Sequence, residues 1–190
     1  MASDAADAEP LRVAIDGPPC AEPDSLGAKL VEPLRVRSHP AVQVRADLFW
    51  RDASLRLEQG HEDVDAYADW LDSDRLRREV LAPVAEHGQY LPSLRDPLTN
   101  RSTREPRRRL EARGVLLVTG GLLLGRGLPF DRTIHLAMSP AARARHTPAN
   151  QQWTLPAFDR YDAEIAPAQI ADAVIRLDDP RRPAATGLLT

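Results

Sequence analysis

Lysine is almost missing from this chain. Of its 25 basic residues only Lys29 is a lysine, so the other 24 are arginine, and with 17 prolines this reads as a coding bias before it reads as chemistry. Cysteine is equally scarce: the single Cys20 excludes an internal disulfide and fits a reducing compartment. Aromatic residues make up 5% of the 190, and no apolar run approaches the roughly 20 residues of a membrane-spanning helix. The opening stretch MASDAADAEP has neither a basic start nor an apolar segment, so no secretory signal is expected. Charge of one sign is not in excess either. The 25 basic and 28 acidic residues generate no field that would gather nucleic acid or an anionic membrane, so any anion binding must be local. The expectation is a cytoplasmic protein with no nucleic-acid or membrane partner. Its length and 43% hydrophobic content fit one globular domain, expected over 11–183 with tails at 1–10 and 184–190.

What is present alternates between strands and helices. LRVAID (11–16) is an apolar run closed by a carboxylate and followed by Gly17-Pro18-Pro19, a strand and a punctuated loop. Leu26, Leu30 and Leu34 at four-residue spacing predict a helix, capped by Asp24 or Ser25 and limited or bent by Pro33. AVQVR (41–45) alternates as a second strand, and Asp47 lies just past its end, where parallel sheets place functional groups. Residues 52–72 read as polar and irregular; a helix then begins at Asp74 with Leu76, Val80 and Leu81 as its apolar stripe. The Arg- and Pro-rich connection 91–110 is too long for an ordinary loop and is the candidate lid. VLLV (115–118) reads as a buried central strand, TIHLAM (133–138) as another, 156–165 as a helix, and ADAVIRLDDP as a last strand with a turn. The class is α/β, three layers around a mainly parallel sheet of about five strands.

In this order the pieces resemble the uridine kinase and phosphoribulokinase-like group of P-loop kinases over about 11–183. The carrying segments are RVAIDGPP, D-x-F-W at Asp47 to Trp50, LRREVLAPV, VLLVTGGLLL, SPAARAR and YDAEIAPAQIADAVIRLDDPRRP. The resemblance implies a three-layer P-loop kinase-like fold with its nucleotide cleft beyond the carboxyl ends of the strands. It also implies roles. Asp47 would accept the proton of the hydroxyl that attacks a γ-phosphate, and Phe49 and Trp50 would wall the nucleoside pocket. Arg143 and Arg145 fall where lid arginines clamp phosphates. Tyr90, Asp96 and Arg101 match the substrate-side segment that would contact a nucleoside-like ligand. Plainer readings stand beside these: the aromatic pair as packing, the two arginines as a solvated helix face, Asp47 as a loop carboxylate.

At the nucleotide loop the chain departs from the family. The pattern G-x-x-x-x-G-K-[ST] cradles phosphates with backbone N–H groups, a lysine and a magnesium-holding hydroxyl. Here Gly17-Pro18-Pro19-Cys20-Ala21-Glu22-Pro23-Asp24 sets Glu22 at the second glycine, Pro23 at the lysine and Asp24 at the hydroxyl. Glu22 puts a negative charge beside a polyanion, Pro23 deletes a donor as well as the ammonium, and Asp24 adds another carboxylate. Lys29 lies too far along the helix to replace the lost lysine. In the central strand Thr119 precedes Gly120, where the resemblance implies an acidic residue that positions magnesium; Asp16 remains as a carboxylate at the end of the first strand. As a plain connection the loop is also sound, with Pro23 in the first helical turn and Glu22 or Asp24 complementing the helix dipole.

Three functions follow from these residues. The leading expectation is a kinase relative that binds a nucleoside-like ligand, with ATP-dependent transfer weakened or absent. The second is an active nucleoside or small-molecule kinase with Asp47 as base, and only this reading calls for Mg·ATP or Mg·GTP. The third is a non-phosphoryl enzyme reusing the cleft, prompted by Cys20 near a helix start. His39, His61, His87, His135 and His146 are scattered, with no H-E-x-x-H or C-x-x-C spacing, so no metal centre is expected. No G-x-S-x-G elbow is present.

Overall fold

The computed structural model describes residues 9–58, 60 and 62–187; His61 and the outer parts of both expected tails lie outside them. Strand β1 (Leu11–Asp16) passes through a 3-10 turn (Pro19–Ala21) into helix α1 (Pro23–Val36), which returns to β2 (Ala41–Arg45). A second 3-10 turn (Ala46–Phe49) leads to two short helices, α2 (Ala53–Arg56) and α3 (Val64–Ala68). Helix α4 (Ser73–Leu76), a π turn (Arg77–Leu81) and α5 (Ala82–His87) then run on without a break. The π turn has a cause in the sequence. Pro83 has no N–H to give to the Glu79 carbonyl four residues back, and that carbonyl instead accepts from Leu91 N at 2.9 Å and Arg107 Nη1 at 3.2 Å.

Strands β3 (Gln89–Tyr90) and β4 (Arg108–Arg109) pair antiparallel and close the base of the long connection. The chain continues through β5 (Val115–Gly120), β6 (Arg132–Ala137), α6 (Pro140–His146), a 3-10 stretch (Ala149–Thr154), α7 (Leu155–Glu164), α8 (Pro167–Ile170), β7 (Ala173–Arg176) and β8 (Ala184–Thr186). The main sheet has the order β2-β5-β1-β6-β7-β8, parallel except for β8.

The pleat sorts its residues into two cores. Ala14, Leu116 and Val118 face a layer that includes Phe49, Leu76, Val80, Leu81 and Phe158. Val13, Ile15, Val115 and Leu117 face the other, where Leu26, Leu30 and Leu34 of α1 pack. The three-layer α/β class is as expected. The sheet has six strands rather than five, because β8 forms inside the segment read as a tail. Helix α1 starts at Pro23 behind Glu22, not behind Asp24 or Ser25, since the Asp24 carboxylate is engaged elsewhere. Two helices also interrupt the stretch read as irregular, each capped by an aspartate, Asp52 and Asp63.

Candidate functional site

A cleft of about 890 Å³ opens at the carboxyl ends of β1, β2 and β5, where the connections from β1 and β5 diverge to opposite sides of the sheet. Residues 19 and 22–25 border one side, Asp47 and Trp50 the mouth, and Thr119 to Leu122 the floor.

The loop between β1 and α1 is tightly folded on itself. Gly17 N donates to Gly120 O at 3.1 Å, Ala21 N to Pro18 O at 2.8 Å and Glu22 N to Pro19 O at 3.0 Å. Pro18, Pro19 and Pro23 carry no N–H. Of residues 17–24, only Cys20 and Asp24 keep a main-chain donor outside these bonds. Gly17 is required by packing, because a Cβ there would lie 2.8 Å from Leu136 Cβ. Glu22 takes a left-handed conformation (φ 55°, ψ 51°) that glycine adopts more cheaply, by about 1–2 kcal/mol.

Asp24 and Thr119 meet directly. The Thr119 hydroxyl donates to Asp24 Oδ1, and Gln43 Nε2 donates to Thr119 Oγ1 and to the Asp24 carbonyl, each at 2.9 Å. The resemblance implies a hydroxyl in α1 and a carboxylate at the end of β5; this chain holds the same two groups in exchanged places. Arg45 sits between Asp24, with Nε 3.4 Å from Oδ2, and Asp47, whose Oδ2 pairs with Nη2. The β2–β5 register sets Arg45 beside Thr119, which is why these side chains converge.

Asp47 lines the cleft, and among the described residues its buried Oδ1 has no hydrogen-bond partner. Burial raises its carboxyl above the ordinary range, outweighing the opposing effect of Arg45. Burial, and secondarily the charge of Asp47, pushes the Tyr67 phenol up to about 12.

Asp16 is not available to the cleft as the sequence had it. It shares the face of Ala14, is fully buried, and accepts from Leu123 N at 2.9 Å and from the Tyr161 hydroxyl at 3.1 Å. Its register partner His135 places Nδ1 2.7 Å from the same carboxylate. The Tyr161 hydroxyl in turn accepts from Leu124 N at 2.9 Å, so the network pins the segment after β5; burial, then Asp16, raises that phenol.

The opposite wall is aromatic, and only Trp50 of it was legible in advance. Ring centroids are 5.0 Å apart for Trp50–Trp70 and Tyr67–Trp70, and 5.3 Å for Tyr67–Trp153, all edge to face. The chain has three tryptophans, and all of them line this cleft. Trp70 is 7% exposed, and its buried Nε1 has no partner among the described residues. Arg56 lies 5.1 Å over Trp50 and 4.8 Å over Trp70, with Nε bonded to Arg51 O at 2.9 Å. The spacing of these residues along the chain is irregular, so no motif announced them; the one signal was the rarity of tryptophan.

Other expected site residues stand elsewhere. Phe49 is fully buried in the core beneath the cleft. Tyr90 is also core, in β3. Asp96 is a turn residue: its Oδ1 accepts from Leu98 N and Thr99 N at 2.8 and 2.9 Å, which lowers its carboxyl. Arg101 is exposed outside the cleft; the same turn presents Pro97, Leu98 and Asn100 to it instead. Arg143 is 2% exposed and pairs with Asp159 at 2.6 Å and Asp162 at 2.8 Å, so its guanidinium is occupied, while Arg145 is exposed on α6. Cys20 packs with its Sγ 3.6 Å from Met138 Sδ, and neither it, Gly17 nor Pro18 lines the cleft. Among the described residues no group of three or more His, Cys, Asp or Glu could hold a metal ion, and no helix is long and apolar enough to cross a membrane.

No protein-family model matches the chain, and no curated protein matches it in sequence. Solved structures do match in shape. A protein described as a possible uridine kinase from Bacillus stearothermophilus superposes with a TM-score of 0.72 at 19% identity, covering 88% of this chain and 89% of the other. The fold is P-loop kinase-like. D-glycerate 3-kinase from Cryptococcus neoformans matches this P-loop kinase-like chain with a TM-score of 0.59 at 12% identity, covering 94% and 90%. A Silicibacter protein provisionally assigned as a fructose transport system kinase gives 0.56 at 22%, covering 85% and 80%.

Proposed function

We propose that this protein is a kinase-fold binding protein that takes a nucleoside-like small molecule in its cleft, with ATP-dependent phosphoryl transfer weakened or lost. The observation that carries this reading is the loop at 17–24. A triphosphate needs convergent N–H donors and a cation there; three of eight residues are prolines and three more donate within the protein. Glu22 and Asp24 border the place where phosphates would lie. Removing one well-placed electrostatic stabiliser commonly costs about 10²–10³ in rate. These residues do not fit a magnesium triphosphate. The aromatic wall supports retention of a flat ligand, since Trp50, Trp70 and Trp153 all line the cleft.

Asp47 favours a second reading, an active kinase, because its buried and unpartnered Oδ1 is suited to accept a hydroxyl proton. One experiment separates the two. Calorimetry with millimolar Mg·ATP or Mg·GTP should give no binding heat, and a nucleoside panel should give thermal stabilisation without phosphorylated product. Steady transfer that disappears in Asp47→Asn would establish the kinase instead.

A further inference from the structure

Trp50 is shared between the cleft and a second hollow of about 410 Å³. The walls of this hollow are stitched together by main-chain bonds. Arg51 N donates to Trp70 O at 2.8 Å, Asp72 N to Phe49 O at 3.0 Å, and Leu94 N and Arg95 N both donate to Leu48 O, at 3.1 and 3.0 Å. Three separate segments therefore hold Arg51, Arg75 and Arg95 around one concavity.

The charges in it do not balance. Asp52 is already committed: Oδ1 accepts from Ser54 N at 3.0 Å and Asn100 Nδ2 at 3.2 Å, and Oδ2 pairs with Arg95 Nη1 at 3.0 Å. Asp72 is committed as well, its Oδ1 capping α4 through Arg75 N at 2.9 Å. Among the described residues, neither Arg51 nor Arg75 has an ion-pair partner. Arg95 Nε is buried and makes no hydrogen bond. An unmet guanidinium donor is an expensive group to keep, and an anion bound against the same guanidinium would offset its charge. Neighbouring arginines add to the excess: Arg56 is held below its usual range by burial first and then by the charge of Arg95.

We propose that this hollow is an oxyanion-binding site, separate from the loop at 17–24, that takes a small molecule through a carboxylate or phosphate-monoester group. Guanidinium forks match both groups geometrically. Arg51 and Arg75 would close on the anion from the exposed rim, the charge of Arg95 would support them from the wall, and Ser102 stands at the same rim.

The test uses the natural full chain at fixed ionic strength, titrated separately with inorganic phosphate and with succinate against a sodium chloride reference. Tryptophan fluorescence and melting temperature are followed together. Saturable changes are expected with at least one of the two anions, and the anion that saturates tells a phosphate group from a carboxylate. Arg75→Gln and Arg51→Gln, both at exposed and unpaired positions, should each weaken the apparent affinity at least about tenfold, the scale of one charge-assisted bond. Arg101→Gln, an exposed arginine outside the hollow, should leave it unchanged. Responses that merely follow ionic strength, or equal weakening in Arg75→Gln and Arg101→Gln, would overturn the site.

Discussion

Along the β1 wall of the cleft the working groups are main-chain donors and carboxylates; along the opposite wall they are ring faces. The first wall depends on where individual charges and N–H groups point, and there Glu22, Pro23 and Asp24 set its character on the path from β1 into α1. The second wall depends on packed area contributed by three separate segments, through Trp50, Tyr67 with Trp70, and Trp153. Directional chemistry is sensitive to single residues, whereas a packed surface spreads its contribution over many contacts and supports stability as well.

Four substitutions probe this contrast. The largest effect is expected for Phe49→Ala, which empties a fully buried site and should cost about 3–5 kcal/mol in urea unfolding. Trp50→Ala, one residue on, should cost less stability and instead abolish the fluorescence response to ligands; equal losses in both variants would erase the distinction between core and wall. Next is Asp16→Ala. It strands His135, Tyr161 and Leu123 N, and an orphaned buried group costs about 1–3 kcal/mol, so a total near 3 kcal/mol is expected in the same assay. If Asp16 served a metal instead, the variant would keep its stability and lose a magnesium response. The smallest effect belongs to Glu22→Gly, which relieves a left-handed side-chain residue and should raise stability by roughly 0.5–1 kcal/mol. A loss there would mean that the Glu22 side chain holds the loop.

Much of the scaffold was legible from local pattern. Apolar runs located β1, β5 and β6, and the leucine spacing located α1, because both signals come from neighbouring residues along the chain. The short strand β8 escaped notice: AAT (184–186) is exposed throughout and earns its place only by pairing with β7. Site residues divided in the same way. Asp47 and Trp50 follow closely after β2, and both line the cleft. Tyr67, Trp70, Trp153 and Arg56 were missed, since they converge only through the tertiary fold. Arg143 resembled a clamp in sequence, yet Asp159 and Asp162, sixteen and nineteen residues on, claim its guanidinium. Asp24 and Thr119 looked like two unconnected departures until the packing of α1 on β5 set them in contact.

That contact also couples the two positions. An aspartate at position 119 alone would press two carboxylates together, and a hydroxyl at position 24 alone would strip Arg45 of one of its two acidic neighbours. Each single change is uphill by itself, so the pair works as a latch: position 24 or position 119 exchanges its group without cost only when the other changes with it.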